Sequence, residues 1–345
     1  MTVYILGAGA SANAGYPLAS KLLQGVSDWL DHCGRSDPWI GEYRNRVLQV
    51  RETFGSLDDF EGILGRLDEY GYRRVPPTSK ATYRQNHHDI SHDCAEVMRG
   101  RRNPDEPALG FYPQYMRSEL IMALHEMFYD SEQKRSTPTA YDSFAERIMA
   151  DSAVITFNYD VALERALART GKWDVGTGYG YTFVPNRAGS LTMIYKLHGS
   201  VNWLKTPMQE NPPPYIRSRD LKLLGYDSLV DPRIGENDIP VAAQQALILQ
   251  EPRKKFVWER FWSPLWSGAA QRLRGANEIF IHGYSMPVAD SHARQLLFDN
   301  INKDAAVNIY CRSHSDRIAE EFRGRGFAGV TSFPATEFET WVASP

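Results

Sequence analysis

Four short segments of this chain combine residue types that can hold a ligand and move a proton. They are Gly7-Ala8-Gly9-Ala10-Ser11, Asn158-Tyr159-Asp160, His198-Gly199-Ser200 and Gly283-Tyr284-Ser285. Glycines let a backbone turn tightly and approach a ligand without a side chain in the way. Histidine is the side chain that exchanges protons near neutral pH, so His198 is a candidate general base. Small and polar residues in four such segments are harder to explain by packing than any one of them alone.

The first segment follows a short apolar run, residues 3–6, which is typical of a buried parallel strand. A helix beginning near Ser11 would direct its free N–H groups toward the same place, which suits a pyrophosphate. The pattern is formally G-x-G-x-x-A, the dinucleotide-binding fingerprint with a small third residue. A glycine-rich strand-to-helix turn with no ligand gives the same pattern, so both interpretations stand at this point.

The residues after the turn argue against an ordinary hydride-transfer enzyme. Gly15 and Pro17 interrupt the helix within about two turns of its start. A dinucleotide-dependent dehydrogenase also has an acidic residue about 20 positions further on, at the end of the next strand. The nearest candidate, Asp28, lies instead in a segment whose apolar residues have helical spacing.

Apolar runs that alternate with amphipathic segments predict the fold. The runs expected to form strands are residues 3–6, 153–157, 192–197, 278–282, 306–310 and 329–333. The segments expected to form helices include residues 161–169, 244–274, 289–300, 315–325 and 337–342. We therefore predict an α/β fold, a Rossmann-like parallel sheet with helices on both faces and a large helical insertion after the first strand. We expect one domain over residues 1–345, with insertions at about 19–150 and 205–240.

Composition excludes several classes of protein. The 345 residues carry a net charge of −3, so no basic field indicates nucleic acid as a direct ligand. No apolar run is long enough to span a membrane, and we expect a cytoplasmic protein. The three cysteines, Cys33, Cys94 and Cys311, are far apart, which excludes a disulfide framework and a four-cysteine zinc site.

One polar segment, residues 71–113, raises a metal site as an alternative. It contains His87, His88, His92 and Cys94, and His88 and His92 would share one face of a helix. No further ligands follow at suitable spacing. We therefore predict a solvated polar insertion and no bound metal.

These motifs, in this order, resemble those of the sirtuin family. Residues 7–17 resemble its phosphate turn, which runs into Ala14-Gly15-Tyr16-Pro17. Thr156-Phe157-Asn158-Tyr159-Asp160 resembles the T-x-N-x-D element, and Lys196-Leu197-His198-Gly199-Ser200 resembles the strand that ends in the active-site His-Gly. Gly283-Tyr284-Ser285 resembles the later G-x-S that closes on the dinucleotide.

The chain also departs from the protein-deacylating sirtuins. It has no cysteine from 199 to 282, where those enzymes carry a four-cysteine zinc module, and Phe157 stands where they have glutamine. The long insertion after the first strand is foreign to them as well. The chain looks like the divergent sirtuin-like proteins of bacterial anti-phage defence. That resemblance implies NAD as substrate, its hydrolysis and depletion on infection, a homo-oligomer, and a defence-system partner such as a hexameric ATPase.

The resemblance leads to a hypothesis for each residue of the site. Asn158 would hold the ribose hydroxyls or the attacking water, Asp160 would accept from the nicotinamide carboxamide, and His198 would act as the base. The backbone N–H groups of Ala8, Gly9, Ala10 and Ser11 would cradle the pyrophosphate. The remaining cofactor-binding candidates are Gly7, Tyr16, Pro17, Gly199, Gly283, Tyr284 and Ser285, with Gly283 and Ser285 on the adenosine side.

Several alternatives stay open from the sequence. Asn158 and Asp160 could simply cap the helix that follows them. Asp290 and His292 are expected only to open a helix, and His282 is expected to be a strand residue and not a base. The competing functions are a protein deacylase or ADP-ribosyltransferase, and a non-catalytic nucleotide-sensing subunit.

Overall fold

The computed structural model describes residues 1–33, 60, 62–64, 112–181, 191–205, 213–225, 244–247 and 260–344. The chain divides into two compact units. The first, which we call the sheet unit, comprises residues 1–18 and 128–345, and the second comprises residues 19–127. The predicted arrangement as one domain stays a prediction. His87, His88, His92 and Cys94 lie outside the described residues.

The strands belong to the sheet unit and are numbered along the chain. They are β1 (Thr2–Leu6), β2 (Ala153–Thr156), β3 (Met193–Lys196), β4 (Gly199–Lys205), β5 (Tyr215–Ile216), β6 (Gln244–Leu247), β7 (Glu278–His282), β8 (Ala306–Tyr310) and β9 (Val330–Ser332). Six of them form a parallel sheet in the order β3-β2-β1-β7-β8-β9. A smaller antiparallel sheet has the order β5-β4-β6.

The strand order reverses direction at β1. Strand β1 pairs with β2 on one side, where Ile5 lies opposite Ile155, and with β7 on the other, where Leu6 lies opposite His282. All five residues of β1 are buried, as the unbroken apolar run predicts. In open α/β sheets, ligands bind outside the carboxyl ends of the strands at such a reversal. The strand order therefore indicates a candidate ligand site at the carboxyl ends of β1 and β7.

The helices are also numbered along the chain. They are α1 (Ala8–Ser11), α2 (Leu22–Cys33), α3 (Tyr112–Lys134), α4 (Ala140–Arg147), α5 (Ala162–Arg169), α6 (Ser218–Leu223), α7 (Ser263–Arg274), α8 (Ser291–Asn300), α9 (Ser315–Gly324) and α10 (Phe338–Ala343). Residues 60 and 62–64 are helical as well. The predicted Rossmann-like α/β fold is confirmed, with several helices between β1 and β2.

Two local predictions are wrong, and one strand was not predicted. Helix α1 begins at Ala8, before Ser11, and has four residues; a 3₁₀ turn follows and ends at Gly15, whose φ is +81°. Residues 244–247, predicted to be helical, form β6, and within 260–274 the helix begins at Ser263. Strand β4 was not predicted, because His198-Gly199-Ser200 was assigned to the end of the preceding strand.

Aromatic side chains form the core on one face of the sheet. The Tyr4 ring lies 5.0 Å from Phe144 of α4 and 5.3 Å from Phe280 of β7. His282, the last residue of β7, is stacked 4.4 Å from Tyr310 and is fully buried. Burial lowers the pKa of His282 to about 3, so it is neutral at physiological pH. His282 is thus a strand residue, as predicted.

Among the described residues, no helix has the length and apolar character needed to cross a membrane.

Candidate active site

The loops that follow β1 and β7 meet backbone to backbone. The N–H of Gly7 donates to the carbonyl of His282 (2.9 Å), and the N–H of Gly9 donates to the carbonyl of Gly283 (3.0 Å). A Cβ atom on Gly7 would lie 2.5 Å from the Cα of Tyr284. Such a distance is too short for any side chain. The glycines of the turn are therefore required by the packing of the two loops, whether or not a ligand is bound.

This packing uses some of the N–H groups that were predicted to hold a pyrophosphate. Gly9 donates to Gly283, and the N–H of Ala10 donates to the carbonyl of Gly7 (2.9 Å). The first helix, with four residues, is also too short to present the dipole of a long helix. The pyrophosphate role of residues 8–11 stays a prediction, and Ala8 and Gly9 are the partly exposed members of that group.

Below the glycine turn lies a buried group of four polar side chains, which we call the polar cluster: Ser11, Tyr141, Asn158 and Asp160. Ser11 Oγ donates to Asp160 Oδ2 (2.7 Å) and lies 2.9 Å from the hydroxyl of Tyr141. Asn158 Nδ2 donates to Ser11 Oγ (2.8 Å) and to the hydroxyl of Tyr141 (3.3 Å). The cluster joins the end of β1, helix α4 and the end of β2.

The amide of Asn158 has a defined orientation. Its Nδ2 also donates to the carbonyl of Gly7 (2.9 Å), and its backbone N–H donates to Thr156 Oγ1 (3.1 Å). Within the described part of the chain, Oδ1 accepts no hydrogen bond. The described hydrogen bonds of the Asn158 side chain therefore all use its Nδ2 donor. The oxygen is the atom of Asn158 that could accept a hydrogen bond from a ligand.

Asp160 belongs both to the cluster and to the start of α5. Its Oδ1 accepts the N–H of Ala162 (3.1 Å), which is the local turn expected of an aspartate before a helix. Lys196 Nζ donates to the Asp160 carbonyl and lies 2.7 Å from Glu164. Burial is the main influence on Asp160 and raises its pKa to about 6, against the opposing effects of Lys196 and the Ser11 hydrogen bond. This carboxyl therefore changes charge just below neutral pH.

The raised pKa of Asp160 predicts a pH-dependent stability. Because the folded-state pKa of about 6 lies above the ordinary 3.8, the carboxyl stabilises the fold most below pH 4, and this contribution is lost as the pH rises through 6. The free energy of unfolding of the wild type, relative to Asp160→Asn, should therefore fall by about 2 kcal/mol between pH 4 and pH 7. Urea denaturation at pH 4, 5.5 and 7 measures it. Asp304→Asn, at an exposed position, is the control, and an unchanging difference for Asp160→Asn would contradict the prediction.

His198 lies just beyond the carboxyl end of β3, where residues from three other segments surround it. Its ring centroid is 5.0 Å from that of Phe157, which in turn stacks on Tyr284 at 4.0 Å. Its Nε2 lies 3.1 Å from Oδ2 of Asp290, and both side chains are 1% exposed. The hydroxyl of Tyr284 donates to the same Oδ2 (2.8 Å). The fold thus brings His198 to the same edge of the sheet as the loop of Asn158 and the loop of Gly283.

The other predicted residues differ in their surroundings. Tyr16 is buried, and its hydroxyl donates to Glu132 Oε1 (2.5 Å), so it ties the end of the turn to α3. Pro17 follows it and is partly exposed. Gly199 is the buried first residue of β4, with a φ of +80°. Ser285 is partly exposed, and its carbonyl accepts a hydrogen bond from Arg317.

Two residues that contribute to this region were not predicted as site residues. Tyr141 gave no signal in the sequence, because it lies within the apolar stripe of α4. Asp290 was expected only to open a helix. It is the N-cap residue of α8, yet its side chain makes no capping hydrogen bond and pairs with His198 instead. Its position, seven residues after Gly283, is the only hint that the sequence offered.

Comparison with known proteins adds a resemblance in fold. No family model and no curated protein matches the chain. A structure concerned with sirtuin substrate affinity is similar over 99% of this chain and 93% of its own, with 14% identity and a TM-score of 0.42. A Sir2 structure concerned with mechanism and regulation covers 99% and 90%, with 13% identity and a TM-score of 0.38. A Sir2–p53 peptide–NAD+ complex covers 93% and 92%, with 14% identity and a TM-score of 0.34. Similarities this low carry no argument about activity, which depends on the side chains described above.

Proposed function

We propose that the chain binds NAD+ at the carboxyl ends of β1 and β7 and cleaves the bond between nicotinamide and ribose. The observation that carries the proposal is a convergence. The Asn158 amide donates to the carbonyl of Gly7, while the neighbouring Phe157 contacts both His198 and Tyr284. An amide, an imidazole and a glycine loop therefore meet where the strand order reverses, which is the general location of dinucleotide sites in such sheets.

The protein does not need to activate the departing nicotinamide, because the pyridinium ring is already a cation and a good leaving group. The bond between C1′ of the ribose and the pyridinium nitrogen breaks, and its electron pair passes to that nitrogen, which releases neutral nicotinamide. The oxygen of water bonds to C1′, and one proton of that water passes to a base and then to solvent. The products are nicotinamide, ADP-ribose and a proton. Catalysis then depends on orienting the ribose and stabilising the oxocarbenium-like transition state.

The described contacts support a role for each polar group. Asn158 Oδ1 accepts no hydrogen bond within the polar cluster, so it can accept one from a ribose hydroxyl or from the attacking water. Asp160 is held by Ser11 and Ala162, and its remaining lone pairs can accept from the carboxamide N–H groups of nicotinamide. His198 is the base. Gly7 and Gly283 allow the close backbone approach that a dinucleotide needs at this edge.

Water is the acceptor that this proposal favours over an acyl-lysine. The sequence has no cysteine from 199 to 282, where the deacylating sirtuins carry their zinc module. We extend the proposal to NAD depletion in anti-phage defence, by a homo-oligomer that acts with a partner such as a hexameric ATPase. The sequence resemblance alone supports these last three points.

Incubation of the purified chain with NAD+ tests the proposal. We expect equal amounts of nicotinamide and ADP-ribose by chromatography. We expect kcat/KM to fall about 10²- to 10³-fold in Asn158→Ala, because a preorganised polar contact to the reacting sugar is lost. Asn302→Ala, in an exposed turn, is the matched control.

Two results would contradict the hydrolase proposal. Consumption of NAD+ only when an acyl-lysine peptide is present would identify a deacylase. NAD+ binding without turnover at every protein concentration would identify a nucleotide-sensing subunit. Circular dichroism of each variant separates a loss of chemistry from a loss of fold.

A further inference from the structure

Asp290 stands at a helix start but does not act as a helix cap. Aspartate is among the preferred N-cap residues because its oxygen accepts one of the first free N–H groups of the helix. Asp290 occupies that position in α8 and makes no such hydrogen bond. Its Oδ2 lies 3.1 Å from His198 Nε2 and accepts the hydroxyl of Tyr284 at 2.8 Å. The carboxylate is therefore oriented toward the histidine.

The His198–Asp290 pair is buried, and burial makes the hydrogen-bond partners of both side chains important for stability. The side chains of His198 and Asp290 are both 1% exposed, and a carboxylate removed from water needs hydrogen-bond donors. Among the described residues, the rings of Phe157 and Tyr159 from the loop after β2 and the Asp290 carboxylate from the start of α8 lie beside the imidazole. Tyr284, from the loop after β7, contacts Phe157 and Asp290. Nε2 is the ring nitrogen that lies within hydrogen-bonding distance of the carboxylate, although it makes no hydrogen bond in this arrangement.

The two ring nitrogens of His198 differ in their distance from the Asp290 carboxylate. Both ring nitrogens of His198 are buried, and neither makes a hydrogen bond in the described part of the chain. Nε2 lies 3.1 Å from the Asp290 carboxylate, whereas no ion pair is formed by Nδ1 there. A neutral imidazole has one donor nitrogen and one acceptor nitrogen. If Nε2 carries the proton that faces Asp290, Nδ1 carries the lone pair. A buried acceptor that lacks a donor costs free energy. Such an atom is suited to receive a proton from a bound reactant.

We infer that Asp290 is a positioning residue, which holds His198 with its proton on Nε2 and so makes Nδ1 the atom that takes the proton during NAD+ cleavage. This inference rests on the hydrolase proposal. As the water oxygen bonds to C1′ and the electron pair of the breaking bond passes to nicotinamide, a proton of the water moves to Nδ1. The imidazolium that results lies beside the Asp290 carboxylate, and Nδ1 then releases its proton to solvent. Tyr284 holds the carboxylate by its hydroxyl.

Nuclear magnetic resonance of the full chain with ¹⁵N-labelled histidine tests the inference, with the His198 signals assigned from His198→Gln. In the wild type, we expect the Nε2–H tautomer for the neutral ring. In Asp290→Asn we expect that tautomer to be lost, and kcat for NAD+ to fall about 10²- to 10⁴-fold, with KM changed less than about 3-fold. Asp316→Asn, at the first turn of α9, is the control and should change neither quantity.

The outcomes separate this inference from the hydrolase proposal. An Nδ1–H tautomer in the wild type overturns the inference, and so does an Asp290→Asn variant that keeps both the wild-type tautomer and the wild-type kcat. The wild-type measurement decides even where Asp290→Asn does not fold. An Asp290-dependent tautomer in a chain that never cleaves NAD+ overturns the hydrolase proposal, and with it the catalytic role of Nδ1, while the pairing of the two side chains stands.

Discussion

Replacement of His198 with alanine is expected to lower kcat for NAD+ cleavage by about 10²- to 10⁴-fold, which is the usual contribution of a positioned general base. The residue lies beyond the end of β3, paired with Asp290 and packed against Phe157. Alanine removes the imidazole that lies beside Phe157, the neighbour of Asn158 in the chain. Release of nicotinamide, followed at saturating NAD+, measures the effect.

The control for this prediction is a second histidine. His292 lies on α8, close in sequence to Asp290, and its ring contacts the hydroxyl of Ser291 at 3.4 Å. His292→Ala should retain wild-type turnover, since the sequence and the structure both assign it to the helix start. A His198→Ala variant that folds and keeps more than a tenth of wild-type kcat would show that another group, or water alone, takes the proton.

Replacement of Gly283 with alanine is expected to destabilise the chain by about 3 kcal/mol or more and to abolish NAD+ binding. Gly283 has a φ of +63°, a conformation that costs a residue with a Cβ about 1–2 kcal/mol. Its Cβ would lie 2.4 Å from the backbone N of Ala10, and backbone atoms cannot move aside as a flexible side chain can. The loops after β1 and β7 would have to separate. Urea denaturation gives the loss in stability, and calorimetric titration gives the loss in binding.

Gly324→Ala is the matched control for the loop contact. Gly324 is the last residue of α9, and a Cβ added there would meet no atom within 4 Å. Alanine at this position should be neutral or stabilising by up to about 1 kcal/mol, because glycine has the lower helix propensity. Equal stability of the Gly283→Ala and Gly324→Ala variants would contradict the packing that we describe.

The glycines and the polar side chains of the candidate site are present for different physical reasons. Gly7, Gly9 and Gly283 are required by the contact between two loops, so their presence does not by itself reveal a ligand. Asn158 and His198 are different, because each leaves a buried or partly buried acceptor atom without a partner in the described structure. The side chains of Asn158 and His198 therefore indicate chemistry at this edge more strongly than the glycine fingerprint does.

Local sequence predicted the parallel sheet well. Residues 3–6 form a strand because an unbroken apolar run must be covered on both faces, and the run alone predicts this. The end of the first helical turn at Gly15 was also predictable, since glycine readily adopts the φ of +81° found there. Strand β4 was not, because its stability comes from pairing with β5 and β6 and not from its own pattern.

The sequence by itself determined the fold class, and it gave the prediction that Asn158, Asp160 and His198 are the catalytic side chains. Only the tertiary structure decided that Gly9 and Ala10 donate to neighbouring carbonyls, that Tyr141 joins Ser11 and Asn158, and that Asp290 faces His198. The reason is physical. Strand propensity and hydrophobic periodicity act between residues close in the chain, whereas a hydrogen bond between segments forms only after the sheet has brought their ends together.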